Sequence, residues 1–230
     1  ALSDAVFFAS RLQAAQTALR WRSQGMGLDA WYWPPALPGV MVQAPDAGIE
    51  PILRIHPQRK VTYLQTIHTR WTRIPGASAE VIPNIHPANR TDGYPLSAVG
   101  QAGFHQTDTS CPISAQTWAA AYASAQSAIH GADLLRGGEG AVYALCRPPG
   151  HHAFADLAGG FCFLNNSGIA AEWLRARGLR PAVLDVDVHH GNGTQGMFYA
   201  RGDVLTVSLH ADPERFYPFF WGAAQERGEG

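Results

Sequence analysis

The sequence predicts an α/β domain built on an open, mostly parallel sheet flanked by helices. Two observations predict it. From Ser114 onward short apolar stretches alternate with helical patterns, the signature of βαβ units. Three of those apolar stretches run directly into polar, chemistry-bearing residues: CRPPGHH (146–152), LDVDVHHGNG (184–193) and SLHADPE (208–214). In an open parallel sheet ligands bind outside the carboxyl ends of the strands. The three clusters are therefore expected to face one crevice.

The elements follow in order. Residues 3–23 read as a helix, broken by WYWPPALPG at 31–39. An apolar stretch at 52–55 precedes a helix over 61–71. From 76 to 111 there is almost no periodicity, and the stretch reads as a long polar insertion, 76–110, carrying Asp92 and Asp108. An Ala-rich helix spans 114–135, ended by Gly137 and Gly138, and 141–146 is a short apolar strand. Residues 165–177 form a helix capped by Asn165 and stopped by Gly178. Strand 182–188, a short helix at 196–201 and strand 204–209 complete the pattern. The last strand, VLTVSL, is apolar on both faces and expects neighbours on both edges.

Composition bounds the function. Apolar residues make up 46% of the 230, enough for a core, and the net charge of −1 gives no basic footprint for nucleic acid. No apolar run is long enough to span a membrane. The opening ALSDAVFFASRLQAA lacks a basic start followed by an apolar core, so it does not read as a secretion signal. Three widely spaced cysteines without a CxxC pair argue for reduced thiols and a cytoplasmic setting. The seventeen Lys and Arg residues include a single lysine, Lys60, a bias that composition alone does not explain.

The central cluster carries metal chemistry. On a strand Asp185, Asp187 and His189 share one face, while Ala182, Leu184, Val186 and Val188 take the other and pack in the core. Two buried carboxylates are costly unless a cation or an arginine compensates them, and carboxylate with imidazole suits zinc or a related divalent ion. His151 and His152 are adjacent in a Gly/Pro-rich loop. Such a pair binds metal or moves protons, and hydrolysis of an amide needs both a base and an acid. Asp185 and Asn192 are placed to orient them. Gly159 and Gly160 allow close backbone approach, Phe161 is a candidate wall of a slot, and Phe163 reads equally as wall or core.

The stretches RPPGHHA, GGFCFLNN, LDVDVHHGNGTQGMFY and VLTVSLH resemble the signatures of the arginase-fold zinc deacetylases, the histone deacetylase and acetylpolyamine amidohydrolase family. The similarity is most specific over 109–218 and extends back to about residue 50. TSCPISAQTWAAAYASAQSA, ALCRPPGHHA and the insertion look closest to the bacterial acetylpolyamine amidohydrolases. The resemblance implies that Asp187 and His189 are zinc ligands, that His152 is the general base and acid, and that His151 is its electrostatic partner. Asp185 would hold His151 and help bind a structural potassium together with Ser208 and the carbonyls of Asp187, His189 and Leu209. Gly160, Phe161, Tyr217 and Asp108 would line the substrate channel.

Asn192 stands where many members carry Asp, which implies a less basic His152. The family's third zinc ligand, an Asp, and its oxyanion Tyr would follow Gly230. The chain opens without Met and closes on RGEG. Residues 1–230 are therefore expected to be a single incomplete deacetylase domain with its C-terminal part missing, inactive as given. The implied intact protein is a cytoplasmic homodimer that cleaves a small acetylated amine, with no nucleic-acid or membrane partner. A lysine deacetylase, a non-catalytic acetyl-amide reader and a binuclear manganese ureohydrolase are the competing readings. The tandem histidines argue against the reader, and the single carboxylate cluster argues against two metals.

Overall fold

The structure, a computed structural model, describes residues 42–87 and 93–230. The helix expected over 3–23, the break at 31–39 and Asp92 lie outside the described residues. Element order is α1 (Glu50–Leu53), α2 (Gln58–Trp71), α3 (Ala98–His105), α4 (Thr117–Arg136), α5 (Asn166–Arg175), β1 (Ala182–Asp185), α6 (Asn192–Phe198) and β2 (Leu205–Ser208). β1 and β2 pair in parallel, with Asp185 opposite Ser208.

The helices are amphipathic for a shared core. α4 lays Ala121, Ala125 and Ile129 against Ile169 of α5 and against Val61, Leu64 and Ile67 of α2. Small residues on α4 and on the facing side of α5 let the two helices pack closely, and Ala171 of α5 continues onto the sheet with Val183, Phe198 and Val204. α5 is capped as its sequence predicts: the Asn165 side chain accepts a hydrogen bond from the Gly168 N–H at 2.8 Å. Gly178, with φ +83°, takes the left-handed conformation just beyond the helix.

Four expectations are corrected. The aperiodic stretch 76–111 contains α3, capped by the Ser97 hydroxyl. Its signal is masked by Gly100 and Gly103, yet Gly103 is needed, because a Cβ there would lie 1.9 Å from the Ile85 carbonyl oxygen. Residues 141–146 form no ladder with any described strand; Val142 and Ala144 lie beside Gly131 of α4. The helix expected at 196–201 begins earlier, at Asn192, and it too hides behind glycines. A Cβ at Gly193 would press within 2.4 Å of the His152 backbone.

The fourth correction concerns the central strand, which ends at Asp185 rather than continuing to 188. Asp185 Oδ1 accepts the Asp187 N–H at 3.0 Å and Asp187 Oδ1 accepts the His189 N–H at 2.8 Å. Two successive Asp side chains thus capture the backbone N–H groups that a ladder would need. The face carrying Ala182, Leu184, Val186 and Val188 is not core either. Val186 and Val188 are each 53% exposed, and Leu205, Val207 and Leu209 of the neighbouring strand are exposed beside them. All described helices that pack on the sheet pack on its other face, through Val183.

The α4–α5 seam is the stabilising contact of the core. Ile169→Ala, which removes a fully buried side chain, is expected to cost roughly 2–5 kcal/mol. Urea unfolding should show a lower midpoint with an unchanged slope.

Candidate active site

The ends of β1 and β2 and the loop after α4 deliver their polar residues to one place. The chain leaving α4 turns through Pro148 and Pro149 into His151 and His152, whose rings stack with centroids 3.9 Å apart. His151 Nδ1 lies 2.8 Å from Asp185 Oδ2, and both side chains are buried. His152 Nδ1 lies 2.8 Å from Asn192 Oδ1, at the start of α6. The two histidines therefore differ in their backing: a carboxylate behind one, a neutral amide behind the other.

That difference has electrostatic consequences. Burial first, then the neighbouring His151, push His152 down to about 3, against the opposing hydrogen bond to Asn192. Burial works to raise the Asp185 carboxyl, but the hydrogen bond and charge of His151 and the Asp187 N–H outweigh it and leave Asp185 below the usual carboxylate range. An amide oxygen can only accept, so His152 must donate from Nδ1. Its Nε2 then carries a free lone pair.

Asp187 and His189 lie next to this pair. His189 Nδ1 is 3.3 Å from Asp187 Oδ1, and the His189 ring centroid is 6.3 Å from that of His152. Among the described residues no group of three or more His, Cys, Asp or Glu side chains is placed to hold a metal ion. Asp187 and His189 offer one oxygen and one nitrogen, a donor set that fits two corners of a catalytic zinc site, which ordinarily has three protein ligands. Ser208 is brought opposite Asp185 by the strand register. Its hydroxyl meets His210 Nδ1 at 2.8 Å and His190 Nδ1 at 3.2 Å. Leu209 joins the cluster by donating its N–H to the Asp185 carbonyl at 2.9 Å.

The slot beside the histidines has a built wall. Gly160 has φ +51°, and a Cβ there would fall 2.4 Å from His152 Cδ2, so only glycine lets the wall come this close. Phe161 follows, also left-handed at φ +67° and 48% exposed, while Phe163 is buried in the core. Tyr217 stands edge-on to His152, with centroids 4.7 Å apart. Its hydroxyl donates to Asp108 Oδ2 at 2.7 Å, and that same oxygen accepts the Gly160 N–H at 3.0 Å. Asp108 Oδ1 takes the Ser110 N–H at 2.8 Å. The Asp108 carboxylate is therefore occupied in bracing the wall.

Sequence reading did not single out His190, Gln195, His210 and Glu226. His190 Nε2 meets the Gln195 side-chain oxygen Oε1, the Gln195 amide Nε2 donates to Glu226, and Glu226 accepts the Gly222 N–H. This chain fastens the loop after Tyr217 to α6. His190 is visible in the HHG motif, but no spacing rule links it to Glu226.

Residues 8–230 match the histone deacetylase domain. Over 194 residues the chain is 50% identical to the acetylpolyamine amidohydrolase of Burkholderia pseudomallei (strain 1710b), covering 84% of this chain and 56% of that protein. It is 45% identical over 185 residues to the acetylpolyamine amidohydrolase of Mycoplana ramosa, covering 80% and 54% respectively. A crystal structure of acetylpolyamine aminohydrolase from Burkholderia pseudomallei superposes with a TM-score of 0.79 at 44% identity, over 95% of this chain and 60% of that one. A histone deacetylase homolog from Aquifex aeolicus, 22% identical, shares the fold with a TM-score of 0.62 over 99% of this chain and 56% of its own. The chain thus spans a little over half the length of the relatives it matches. With its helices and parallel strands in this arrangement, it belongs to the histone deacetylase domain family.

Proposed function

We propose that the protein is a zinc-dependent amidohydrolase that removes acetyl groups from small acetylated amines, acetylpolyamines above all. One observation carries the reading: two stacked, buried histidines, one backed by a carboxylate and one by an amide, beside an aspartate and histidine pair. The names of the relatives, acetylpolyamine amidohydrolases at 45–50% identity, support the substrate class. Residues 1–230 are read as one incomplete deacetylase domain, with 76–110 an insertion in it.

Asp187 and His189 would hold the zinc, which when bound polarises the amide carbonyl and makes water a better nucleophile. This chain's own residues do the rest. His152, neutral with a free Nε2, takes the proton of the attacking water and returns it to the amine as the C–N bond breaks. His151, tied to Asp185, is its electrostatic partner. Gly160, Phe161 and Tyr217 orient the slender acetylated amine and exclude water, and Asp108 keeps that wall in place. Asp185 and Ser208, with the carbonyls of Asp187, His189 and Leu209, would hold a structural potassium behind the site. The same reading makes the protein a cytoplasmic homodimer without nucleic-acid or membrane partners. No helix among the described residues is long and apolar enough to cross a membrane.

Three outcomes are expected of the full-length protein. His152→Ala should lose roughly 10²–10⁴-fold in turnover while keeping its zinc by elemental analysis, whereas His189→Ala should lose the zinc. Equal zinc in wild type and His189→Ala would remove His189 from the ligand set. Acetylputrescine or acetylspermidine should be cleaved with a higher kcat/KM than an acetyl-lysine peptide; the reverse order would make the protein a lysine deacetylase. The third outcome concerns pH. The unfolded chain takes a proton on His152 below about 6.5, while the folded site refuses it until about 3. The unfolded state therefore binds more protons across that window, and stability should fall as pH falls from 6.5 toward 3. His152→Gln should flatten this part of the pH dependence of the urea midpoint.

A further inference from the structure

The segment that joins the tandem histidines to the channel wall, residues 153–158, belongs to no helix or strand, yet every one of its six carbonyls is bound. The Ala153 carbonyl accepts from Asn165 Nδ2 at 3.0 Å. Phe154 and Leu157 both accept from Lys60 Nζ, at 2.7 and 3.0 Å. Ala155 accepts from His56 Nδ1 at 2.8 Å, Asp156 from His105 Nδ1 at 2.9 Å, and Ala158 from the Thr107 N–H at 2.8 Å. Apart from Asn165, the donors sit on or beside α2 and α3, so this irregular segment is pegged to the helical layer at each step. His56, His105 and Lys60 are all fully buried.

Lys60 is the only group here that binds two of the carbonyls, three residues apart. It is also the sole lysine of the sequence, in a chain whose other side-chain cations are arginines or histidines. The choice has a physical reason. A compact amine with rotatable N–H bonds can serve two carbonyls that converge on one point, and the flat guanidinium fork cannot do so in the same space. Burial lowers Lys60 to about 7, against the charge of Asp156. Either protonation state keeps two N–H donors, so the peg survives the loss of the charge.

We propose that Lys60 is a positioning residue for the deacetylation site, acting through segment 153–158 to set His152 at one end and the Gly160–Phe161 wall at the other. This rests on the functional reading above. Because Lys60 touches no substrate, its effect is transmitted only through the geometry of that segment, and small displacements of reacting groups carry large rate penalties.

The test uses the full-length protein with wild type, Lys60→Met, Lys60→Arg and Thr107→Val side by side. Lys60→Met, which keeps the volume and removes the donors, is expected to lose roughly 10–100-fold in kcat per folded molecule, with a smaller change in KM. Deuterium exchange followed by mass spectrometry should accelerate in peptides covering 150–162 and stay unchanged in α4. Lys60→Arg should not rescue turnover. Thr107→Val, which removes the hydroxyl's contacts to the Ala158 carbonyl and to Asp108 Oδ2 but keeps the N–H bond to Ala158, should show the same effects in weaker form and covers the case in which Lys60→Met does not fold. Wild-type kcat in folded Lys60→Met, or exchange that accelerates equally in α4, would reduce Lys60 to a general stabiliser and overturn the proposal. If Lys60→Met does not fold, unaltered turnover and exchange in Thr107→Val would overturn it as well. A wild type that cleaves no acetylated amine would instead overturn the functional reading, and the exchange result would still decide the positioning role.

Discussion

The Asp185 carboxylate is the group on which the rest of the site depends. It sits at the last residue of β1, where its carbonyl holds the Leu209 N–H at the end of β2. One carboxylate oxygen holds His151 and the other holds the Asp187 N–H. A single residue thereby joins the parallel strand pair, the histidine loop and the turn that aims Asp187 and His189. Gly191 preserves the arrangement, since a Cβ there would lie 2.2 Å from Asp185 Oδ2. An aspartate so committed is hard to protonate and hard to move. It can afford to be buried because each of its oxygens has a donor.

The neutral backing of His152 works in the opposite sense. A carboxylate behind His152 would have offset burial and raised its basicity, whereas the Asn192 amide fixes the tautomer without adding charge. The pair thus separates two tasks that one environment could not perform together: His151 sits in the field of an anion, and His152 keeps a lone pair available. The wall opposite follows a similar logic. Asp108 is braced on both oxygens, by Tyr217 and Gly160 on one and by Ser110 on the other. It shapes the slot through Tyr217 rather than by presenting charge.

Much of this was legible in the sequence where a local rule applied. The cap at Asn165, the amphipathic run of α2, the Ala-rich α4 and the convergence of polar strand ends all follow from periodicity and capping chemistry, and the motifs around His151, Asp185 and His189 carry the family resemblance. Two of the errors share one cause. At α3 and at the start of α6 glycines sit where backbone meets backbone, so propensity reads a break and tertiary contact makes a helix. The early end of β1 is the same kind of event, with the Asp185 and Asp187 side chains outcompeting the ladder for N–H groups. The pegs on 153–158 were illegible for a different reason: Lys60 and His105 are separated from that segment by about half a hundred residues or more in sequence, and no period links them.

The pegged segment ties the site to the core. A loop whose carbonyls lie outside helix and strand must find its donors elsewhere, and here the helical layer supplies most of them from behind the histidines. It does so with buried donors whose ordering cost is met by the same packing that forms the core, since Lys60 and His56 leave from α2 and its N-terminal approach while Val61, Leu64 and Ile67 bury the rest of that helix. Catalytic geometry and core packing are consequently not separable in this layer. A substitution that loosens α2 reaches His152 through the pinned backbone of residues 153–158.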